Sequence, residues 1–383
     1  MCSDMDNTSE WAHKILLLGP PTPFYEAMLR GLSQGFAELG HEAGWQTDLP
    51  PHESVASFVK RKGVTLVFEI NRTLSRDHSW PSGVGHAAWL QDHWIDGNLV
   101  ADLGKSDHIY FLYHPDAAYA GELPADCRWS ILSPGARADA PAPTAPAGLY
   151  DLAFCGHLPS PPDMEGQIAI SSNGRAISLS KFLQDWPPEL LSQSQFCLRA
   201  IREKIKRRCQ EVRCQLTFEQ CQTIDETMMR MIERRHILNV ALTVSNNVGI
   251  WGPDKWQKWP EFAPFYKGDL PQLSLDVEVY QAARINVHTG TVAMHVRAMD
   301  CMAAGGFLMI NRTWLDDKVG GINHFFTADE HYGSYDMDDF GEVAYRHLEY
   351  PASRARIAAE GRRAVLAAHT WKHRAQQILK DFS

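Results

Sequence analysis

The sequence predicts an α/β protein built from two doubly wound, Rossmann-like domains that face a central cleft. Three observations support this prediction: a length of 383 residues, short apolar runs that alternate with helical patterns, and a proline- and alanine-rich segment at 136–148 between two such patterns. A chain of this length exceeds one ordinary hydrophobic core. Alternating strands and helices are typical of parallel sheets with helices on both faces.

The first half opens with a predicted β-α-β unit. Residues 14–18, KILLL, form a continuous apolar run, as expected of a buried parallel strand. A helix is predicted from about Phe24 to Leu39, because apolar residues recur at helical spacing and Gly40 follows as a stop. The chain returns as a strand at 41–47. Further strand-like runs lie at 64–70, 86–91, 108–113 and 129–133.

The second half repeats the pattern after an extended linker. Strands are predicted at 150–156, 248–252, 285–289, 307–311 and 324–328, residues 179–243 are mainly helical in pattern, and two helices close the chain. The predicted boundaries are a disordered tail at 1–13, a first domain at 14–136, a linker at 137–149, a second domain at 150–365 and a C-terminal helix at 366–383. We expect this last helix to cross back to the first domain, with His369, His373 and Arg374 as hydrogen-bonding groups between the domains rather than catalysts.

Composition excludes several classes of protein. The net charge of -9 disfavours a nucleic-acid partner, and no apolar run approaches the ~20 residues that span a bilayer. The N-terminal segment lacks the basic-then-apolar layout of a signal peptide, so we expect a cytoplasmic protein with reduced cysteines. The 17 histidines are scattered and form no HExxH-like pair, so neither a metal site nor a resident cofactor is expected.

The segment 288–306, HTGTVAMHVRAMDCMAAGG, carries the strongest functional signal. It begins with His288 at a predicted strand end and continues as a predicted helix over about 292–304. At the helix N-terminus lie three small or polar residues whose backbone N–H groups favour a phosphate, Thr289, Gly290 and Thr291. Arg297 and Asp300 lie three residues apart on the stripe predicted to face the cleft. The alternative is a threonine cap and an Arg297–Asp300 ion pair.

Several motifs in the second half together resemble one known family. YDLAFCGH, VGIWG, FYKGDL, VYQAARINVHTG, MHVRAMDCMAAGGFLMINR and HTWKHRAQQIL occur in this order between about residues 150 and 380. They resemble the CgeB-like (spore-maturation) glycosyltransferases, which have the two-domain GT-B architecture. The resemblance implies a nucleotide-sugar donor, expected to be UDP-linked, in the second domain, an acceptor in the first domain, and hexosyl transfer without a metal ion.

The resemblance also implies roles for individual residues. Asp300 stands where the family has a glutamate that binds the ribose hydroxyls. Val292 stands where related retaining enzymes have a second glutamate, so a retaining mechanism cannot be carried over. Arg297 is expected beside the diphosphate, where it would offset charge as the leaving group departs.

Four further positions are implied to line the donor site. Tyr266 would stack on the nucleobase while the backbone around Gly268 and Leu270 reads its edge, and Gly156 would lie near the diphosphate. The alternatives are a packing role for Tyr266 and a plain strand-end turn at Gly156.

An inverting transferase also needs a base for the acceptor hydroxyl, and the first domain offers candidates at predicted strand ends. Asp92 and His93 end the run WLQDHW, and LYHPD places His114 and Asp116 similarly. Two alternatives to transfer stay open: a nucleotide-sugar epimerase on the same fold, and a catalytically idle protein that binds a sugar nucleotide or a partner. The sequence leaves the acceptor and the oligomeric state open.

Overall fold

The structure of the chain is a computed structural model. It describes residues 13–75, 77–91, 103–114, 127–143, 148–183, 198–217, 220–221, 224, 233–270, 276–290 and 292–383. Most of the predicted tail at 1–13 lies outside this description. Within it, no helix is both long enough and apolar enough to span a bilayer.

The first domain contains a six-stranded parallel sheet. Its strands are β1 (Lys14–Leu18), β2 (Glu42–Gln46), β3 (Leu66–Ile70), β4 (Gly85–Leu90), β5 (His108–Phe111) and β6 (Trp129–Ile131). Their order is β2-β1-β3-β4-β5-β6. Strand β3 is buried along its whole length and β4 along nearly all of it, because helices cover both faces of the sheet.

The second domain contains a second six-stranded parallel sheet and a small antiparallel hairpin. The strands are β7 (Tyr150–Cys155), β8 (Gln167–Ile170), β9 (Ala176–Ser178), β10 (Val248–Trp251), β11 (Tyr266–Gly268), β12 (Ala283–His288), β13 (Leu308–Asn311) and β14 (Gly333–Tyr335). The large sheet has the order β11-β10-β7-β12-β13-β14, and β8 pairs with β9 in the hairpin. Two parallel sheets of six strands confirm the predicted fold class.

Helices connect the strands and cover the sheets. They are α1 (Pro23–Ala37), α2 (His52–Lys62), α3 (Pro161–Met164), α4 (Leu179–Leu183), α5 (Leu198–Val212), α6 (Arg235–Val244), α7 (Asp276–Ala282), α8 (Val296–Ala303), α9 (Phe340–Glu349), α10 (Pro351–Ala368) and α11 (Trp371–Asp381). Short 3₁₀ turns lie at Asp254–Lys258, Ala263–Phe265 and Ile322–His324.

Two predicted elements differ from the structure. The strand predicted at 324–328 is wrong: a 3₁₀ turn ends at His324, and Phe326 is buried against the ring of His369. The last strand of the sheet is the short β14 instead. The second of the two predicted closing helices is broken into α10 and α11, because His369 leaves helical geometry and Thr370 caps a new helix.

The strand orders place one crevice in each domain. In the first sheet the chain moves from β1 outward to β2 and then returns to β3 on the other side of β1. In the second sheet it moves from β7 to β10 and β11 and then returns to β12. Ligands of open α/β sheets bind beyond the carboxyl ends of strands at such reversals. The relevant ends are therefore those of β1 and β3, and of β7 and β12.

The C-terminal helix α11 packs against the first domain. Trp371, Ala375 and Ile378 belong to the same buried cluster as the apolar side chains of β1 and α1. The chain passes between the domains twice, near Ala136 and near His369, and the two segments pair through their backbones. Ala136 N–H donates to the His369 carbonyl at 2.8 Å, and Trp371 N–H donates to the Ala136 carbonyl at 3.2 Å. The two connections between the domains therefore lie next to each other.

The predicted hydrogen-bonding groups of this helix lie at the crossing. An Arg374 guanidinium nitrogen lies 2.7 Å from Nδ1 of His369, and Arg374 Nε donates to the Pro134 carbonyl at 3.4 Å. His373 Nδ1 accepts a hydrogen bond from the Thr370 N–H at 3.2 Å and completes the helix cap. These contacts hold the start of α11 against the connection between the domains.

Candidate functional site

The crevice of the second sheet is formed by the residues that follow β7 and β12. Gly156 follows β7, and His288 and Thr289 end β12 with only 6% and 2% of their surfaces exposed. His288 and Cys155 lie on adjacent parallel strands, since Val287 pairs with Phe154. The backbone carbonyl of His288 accepts a hydrogen bond from the Tyr335 hydroxyl at 2.9 Å. Polar side chains therefore end buried strands at the place where the topology predicts a ligand.

Two arginines flank Gly156. Arg297 donates to the Cys155 carbonyl at 2.9 Å, and Arg234, at the N-terminus of α6, donates to the His157 carbonyl at 2.6 Å. A Cβ atom at Gly156 would lie 2.8 Å from the Phe154 ring and 3.6 Å from the Arg234 guanidinium. A larger residue would therefore clash with the Phe154 ring beside the Arg234 guanidinium. Two guanidinium groups on either side of one glycine can bind a ligand with two phosphates.

Several buried polar atoms at these strand ends have no hydrogen-bond partner within the part of the chain that is described. They are Oε1 of Glu233, Nε2 of His288, Oγ1 of Thr289 and Nε of Arg297. An unpaired buried polar atom costs about 1–3 kcal/mol, and native proteins pair most of them. Four such atoms at one sheet edge indicate groups shaped to bind a polar ligand.

The electrostatics of this cluster favour an anion. Burial, together with the positive charges of Arg297 and Arg234, lowers the pKa of His288 well below its ordinary value. The pKa of His295 is lowered well below its ordinary value for the same reasons. Burial raises the pKa of Glu233 to about 7, although Arg234 and the Gly290 backbone act in the opposite direction. Near neutral pH the histidines are uncharged and Glu233 is about half protonated, so the two guanidinium groups dominate.

Gly290 is held by a side chain at the end of the neighbouring strand. Its N–H donates to Oδ1 of Asn311 at 3.0 Å, and its carbonyl accepts from Nδ2 of the same residue at 3.0 Å. This two-way contact fixes the loop after β12 at the edge of the crevice. Thr291 lies outside the described residues.

The helix after this loop begins later than the sequence pattern predicts. Helix α8 starts at Val296, where Nδ1 of His295 accepts the hydrogen bond from the Arg297 N–H at 3.2 Å. Thr289 and Gly290 therefore belong to the loop before the helix, and the prediction that they lie at its N-terminus is wrong because the helix starts at Val296 rather than near residue 292. Helix α8 is buried almost all round between β13 and α10.

Asp300 faces the connection between the domains. Its side chain is 6% exposed, and Oδ1 accepts a hydrogen bond from the Arg137 backbone N–H at 3.3 Å. Arg297 points instead to the strand ends through its contact with Cys155. The alternative of an Arg297–Asp300 ion pair does not occur among the described salt bridges.

The segment predicted to contact a nucleobase lies at the edge of the second sheet. Tyr266 and Gly268 form β11, which is two strands away from β7, or about 10 Å at the usual strand spacing. The Gly268 carbonyl accepts a hydrogen bond from the Gly252 N–H at 3.0 Å, and Gly268 has a φ of 126°, which favours glycine. Tyr266 and Leu270 are both partly buried against apolar side chains of the domain.

The first domain approaches this site through the N-terminus of α1. The rings of Phe24 and His295 stack with their centroids 5.9 Å apart, which joins the two domains across the cleft. Asn71 follows β3 with a φ of 60° and donates from Nδ2 to the Tyr25 hydroxyl at 2.9 Å. Its Oδ1 accepts from the Gln91 N–H at 2.8 Å. Asn71 thus ties together three elements at the topological reversal of the first sheet.

The candidate bases are only partly covered by the structure. Asp92, His93 and Asp116 lie outside the described residues. His114 is described, and its ring meets the Trp129 ring edge-on at 5.8 Å.

A separate groove of about 870 Å³ lies between α1, the connection at 136–139 and the start of α11. Charged residues of both signs line it, and some pair with each other, as Arg30 does with Glu26 and Arg137 with Asp139. None of the unpartnered polar atoms at the ends of β7 and β12 lies in this groove. We therefore place the candidate site at the strand ends, where the buried polar groups converge.

Sequence reasoning missed Glu233, Arg234 and Asn311. The first two belong to the run MRMIERRHIL, which has an ordinary mixed-charge helical pattern. A usable signal was present, because adjacent arginines at a helix N-terminus oppose the helix dipole. Residues that are locally unfavourable for helix stability, as these arginines are, often lie at functional positions. Asn311 gave no signal beyond being a polar residue at a strand end.

Known proteins resemble this chain in part of its sequence and in its fold. Residues 228–380 match the family model described as glycosyl transferase-like, and this range includes Glu233, Arg234 and the whole 288–306 segment. No curated protein sequence matches significantly. Among solved structures, AviGT4, a glycosyltransferase involved in avilamycin A biosynthesis, superposes with a TM-score of 0.53 at 10% identity over 97% of each chain. The chain has the GT-B fold.

Two further solved structures, both of glycosyltransferases, are similar at lower scores. A glycosyltransferase from Rickettsia africae ESF-5 has a TM-score of 0.49 at 9% identity over 96% of this chain and 97% of that one. The spinosyn forosaminyltransferase SpnP has a TM-score of 0.46 at 11% identity over 97% and 99%.

Proposed function

We propose that this protein transfers a sugar from a nucleotide-sugar donor, UDP-linked, to an acceptor bound by the first domain. The observation that carries the proposal is the pair of guanidinium groups around Gly156, set among unpartnered buried polar atoms at the β7 and β12 strand ends. The glycosyl transferase-like match over residues 228–380 supports the same reading. The order of motifs in the second half further supports a CgeB-like member.

In the proposed site, Arg234 and Arg297 hold the donor diphosphate. The negative charge on the diphosphate grows as the bond to the sugar breaks, and two guanidinium groups fixed in advance stabilise that charge. Charge supplied by arginines makes a metal ion unnecessary for this step, so we propose metal-independent transfer. Glu233, when protonated, adds no opposing charge beside the anion.

The proposed reaction is a displacement at the anomeric carbon of the donor sugar. The acceptor hydroxyl oxygen forms a bond to that carbon, the bond to the diphosphate oxygen breaks, and nucleoside diphosphate leaves with the electron pair. The acceptor proton passes to a base. Asp92 and His93 stay our candidates for that base in an inverting reaction.

Other donor contacts follow from the sequence. Tyr266, Gly268 and Leu270 are proposed to lie along the nucleobase, and Thr289 and Gly290 near the phosphates. Asp300 accepts the Arg137 backbone N–H through Oδ1, so we propose that a ribose hydroxyl bound by the same carboxylate couples donor binding to the connection between the domains.

A matched pair of variants tests the donor assignment. Arg234→Gln removes a guanidinium of the proposed site, whereas Arg235→Gln removes its neighbour, which pairs with Glu261 at 3.0 Å and lies over the Trp259 ring. A charged hydrogen bond is worth about 1.5–3 kcal/mol, so Arg234→Gln should weaken UDP binding about 10- to 150-fold. Isothermal titration with UDP should show Arg235→Gln within about twofold of the unmodified protein. Equal UDP affinities of the two variants would contradict the assignment of the diphosphate to this site.

Turnover separates transfer from its alternatives. The protein is incubated with a panel of nucleotide sugars and acceptors, and the masses of the products are measured by mass spectrometry. Acceptor-stimulated release of nucleoside diphosphate with a heavier acceptor supports transfer. A donor changed in stereochemistry without release would indicate an epimerase, and tight binding without turnover would indicate an idle binding protein.

A further inference from the structure

A second cluster of functional side chains lies in the first domain, on the α2 side of its sheet. Glu69 of β3 is fully buried, and two histidines approach the same carboxylate oxygen. Nε2 of His52, in the first turn of α2, lies 3.2 Å from Oε2 of Glu69. Nε2 of His86, on β4, lies 3.6 Å from the same atom. The ligand-capable atoms of all three residues lie within 4.8 Å of one another.

We propose that His52, Glu69 and His86 bind a divalent transition-metal ion of the Zn²⁺ class. Zinc bonds of about 2.0–2.1 Å in tetrahedral geometry separate neighbouring ligand atoms by about 3.4 Å. The two separations to Glu69 fall on either side of that value. Two imidazoles and one carboxylate are also a ligand set that zinc prefers, with one coordination position left for water.

The surroundings of His86 match those of a metal ligand. Its Nδ1 lies 3.0 Å from the Ser106 hydroxyl, so this nitrogen can carry the proton while Nε2 presents its lone pair to the centre of the cluster. Nε2 itself is buried and has no hydrogen-bond partner among the residues that the structure describes. Leaving that nitrogen unpaired in the core costs free energy unless a further group binds it.

Arg72 also contacts Glu69 and has to be compatible with the ion. It donates to both carboxylate oxygens at 2.6 Å and to the Pro50 carbonyl at 2.6 Å. Each carboxylate oxygen has two acceptor sites, so a fork from Arg72 leaves one site on Oε2 for the metal. The arginine would then orient the metal-bound carboxylate, as partners of metal ligands commonly do.

In this position the ion would join α2, β3 and β4 of the first domain. Glu69 lies two residues before Asn71, the residue that ties α1 to the edge of the cleft. The donor arginines belong to the other domain, so this inference does not depend on the proposed transfer reaction.

The site can be tested with Co²⁺ and Zn²⁺ on the full-length protein after treatment with a chelator. We expect one equivalent of Co²⁺ to give a visible d–d absorption band that Zn²⁺ abolishes. His52→Ala should weaken Zn²⁺ binding by about 100-fold or more, because it removes one of three ligands but leaves the Glu69–Arg72 pair intact. His41→Ala is the matched control, since His41 pairs with His13 elsewhere in the domain.

Two further measurements keep the outcome interpretable. Ser106→Ala should weaken Zn²⁺ binding about 10-fold, the usual effect of losing a partner of a metal ligand. Circular dichroism of each metal-free variant shows whether it is folded. His86→Ala removes the second histidine ligand; if that variant does not fold, the comparison with His52→Ala alone tests the proposal. The proposal is overturned if the unmodified protein binds Zn²⁺ no more tightly than His52→Ala, or if the Co²⁺ spectrum is the same in both.

Discussion

At the scale of single residues, the carboxyl group of Glu233 combines burial with a nearby positive charge. Its Oε1 is buried beside Arg234 and the loop after β12. Because burial raises its pKa to about 7, the folded protein binds a proton between about pH 4.5 and 7 that the unfolded chain releases. Stability from this group is therefore lost as pH rises through that range.

The prediction concerns Glu233→Gln. Above pH 7 the unmodified protein holds a buried carboxylate and the variant does not, so the variant should be more stable there, by on the order of 3 kcal/mol for a pKa raised to about 7. Below pH 4.5 the two proteins should have similar stability. Urea unfolding at pH 5 and pH 8 measures this. A stability difference that does not change with pH would contradict the raised pKa.

The sequence predicted part of the arrangement of the candidate site. Gly156, His288 and Thr289 lie at neighbouring strand ends, because residues at the carboxyl ends of buried parallel strands collect at one edge of the sheet. Arg297, from α8, reaches the same edge through the Cys155 carbonyl. The contact of Asp300 with the Arg137 backbone could not be predicted, since it depends on how the connection between domains folds over α8. The histidine–glutamate cluster was also hidden, because its three members come from three separate elements.

At the scale of elements, the closest helix packing is between α1 and α11. A Cβ atom at Gly31 would lie 2.5 Å from the Trp371 ring, and one at Gly35 would lie 2.5 Å from the Trp371 carbonyl oxygen. The first contact is with a side chain and the second with backbone. Glycines one turn apart therefore allow the backbone of α11 to lie directly on α1.

We predict that Gly35→Ala destabilises the protein. Alanine improves helix propensity by up to about 1 kcal/mol, but the clash with the α11 backbone costs about 1–3 kcal/mol, so the net loss should be about 1–2 kcal/mol. Gly44→Ala is the control, because a Cβ atom there would meet nothing within 4 Å. The melting temperature should fall for Gly35→Ala and stay nearly constant for Gly44→Ala. A gain in stability from Gly35→Ala would show that α11 moves freely.

Sequence patterns located most strands but not every element boundary. Runs such as 14–18 and 150–156 were predictable because strands buried on both faces need continuous apolar residues. The start of α8 was not, because Ala293 and Met294 continue the apolar period although His295 caps the helix after them. Strand β14 has only three residues, too few to show a pattern beside the apolar Phe325 and Phe326.

At the scale of the whole molecule, the two domains share a hydrophobic core. Trp371, Ala375 and Ile378 of α11 are at most 6% exposed and pack with the core of the first domain. The Tyr110 hydroxyl also donates to Asp381 at 2.9 Å, at the far end of the same helix. The first domain therefore depends on residues that follow the second domain in sequence.

We predict that a fragment of residues 13–143 does not fold alone. Loss of a buried tryptophan costs about 3–5 kcal/mol and loss of a buried isoleucine about 1.5–3 kcal/mol, which together approach the 5–15 kcal/mol stability of a whole domain. Adding a synthetic peptide of residues 369–383 should restore the circular dichroism of a folded α/β protein. A peptide with Trp371→Ala and Ile378→Ala should not. A cooperative melt of the fragment by itself would contradict the shared core.

This shared core also determines when the first domain can fold during protein synthesis. Gln377 of α11 donates to the Ile131 carbonyl, 246 positions earlier in the chain. A ribosome adds about 5–20 residues per second, so roughly 12–50 s pass between the synthesis of these two contact partners. For that time the apolar side of α1 faces solvent or a chaperone. While the second domain is being translated, the first domain is incompletely folded and can therefore aggregate.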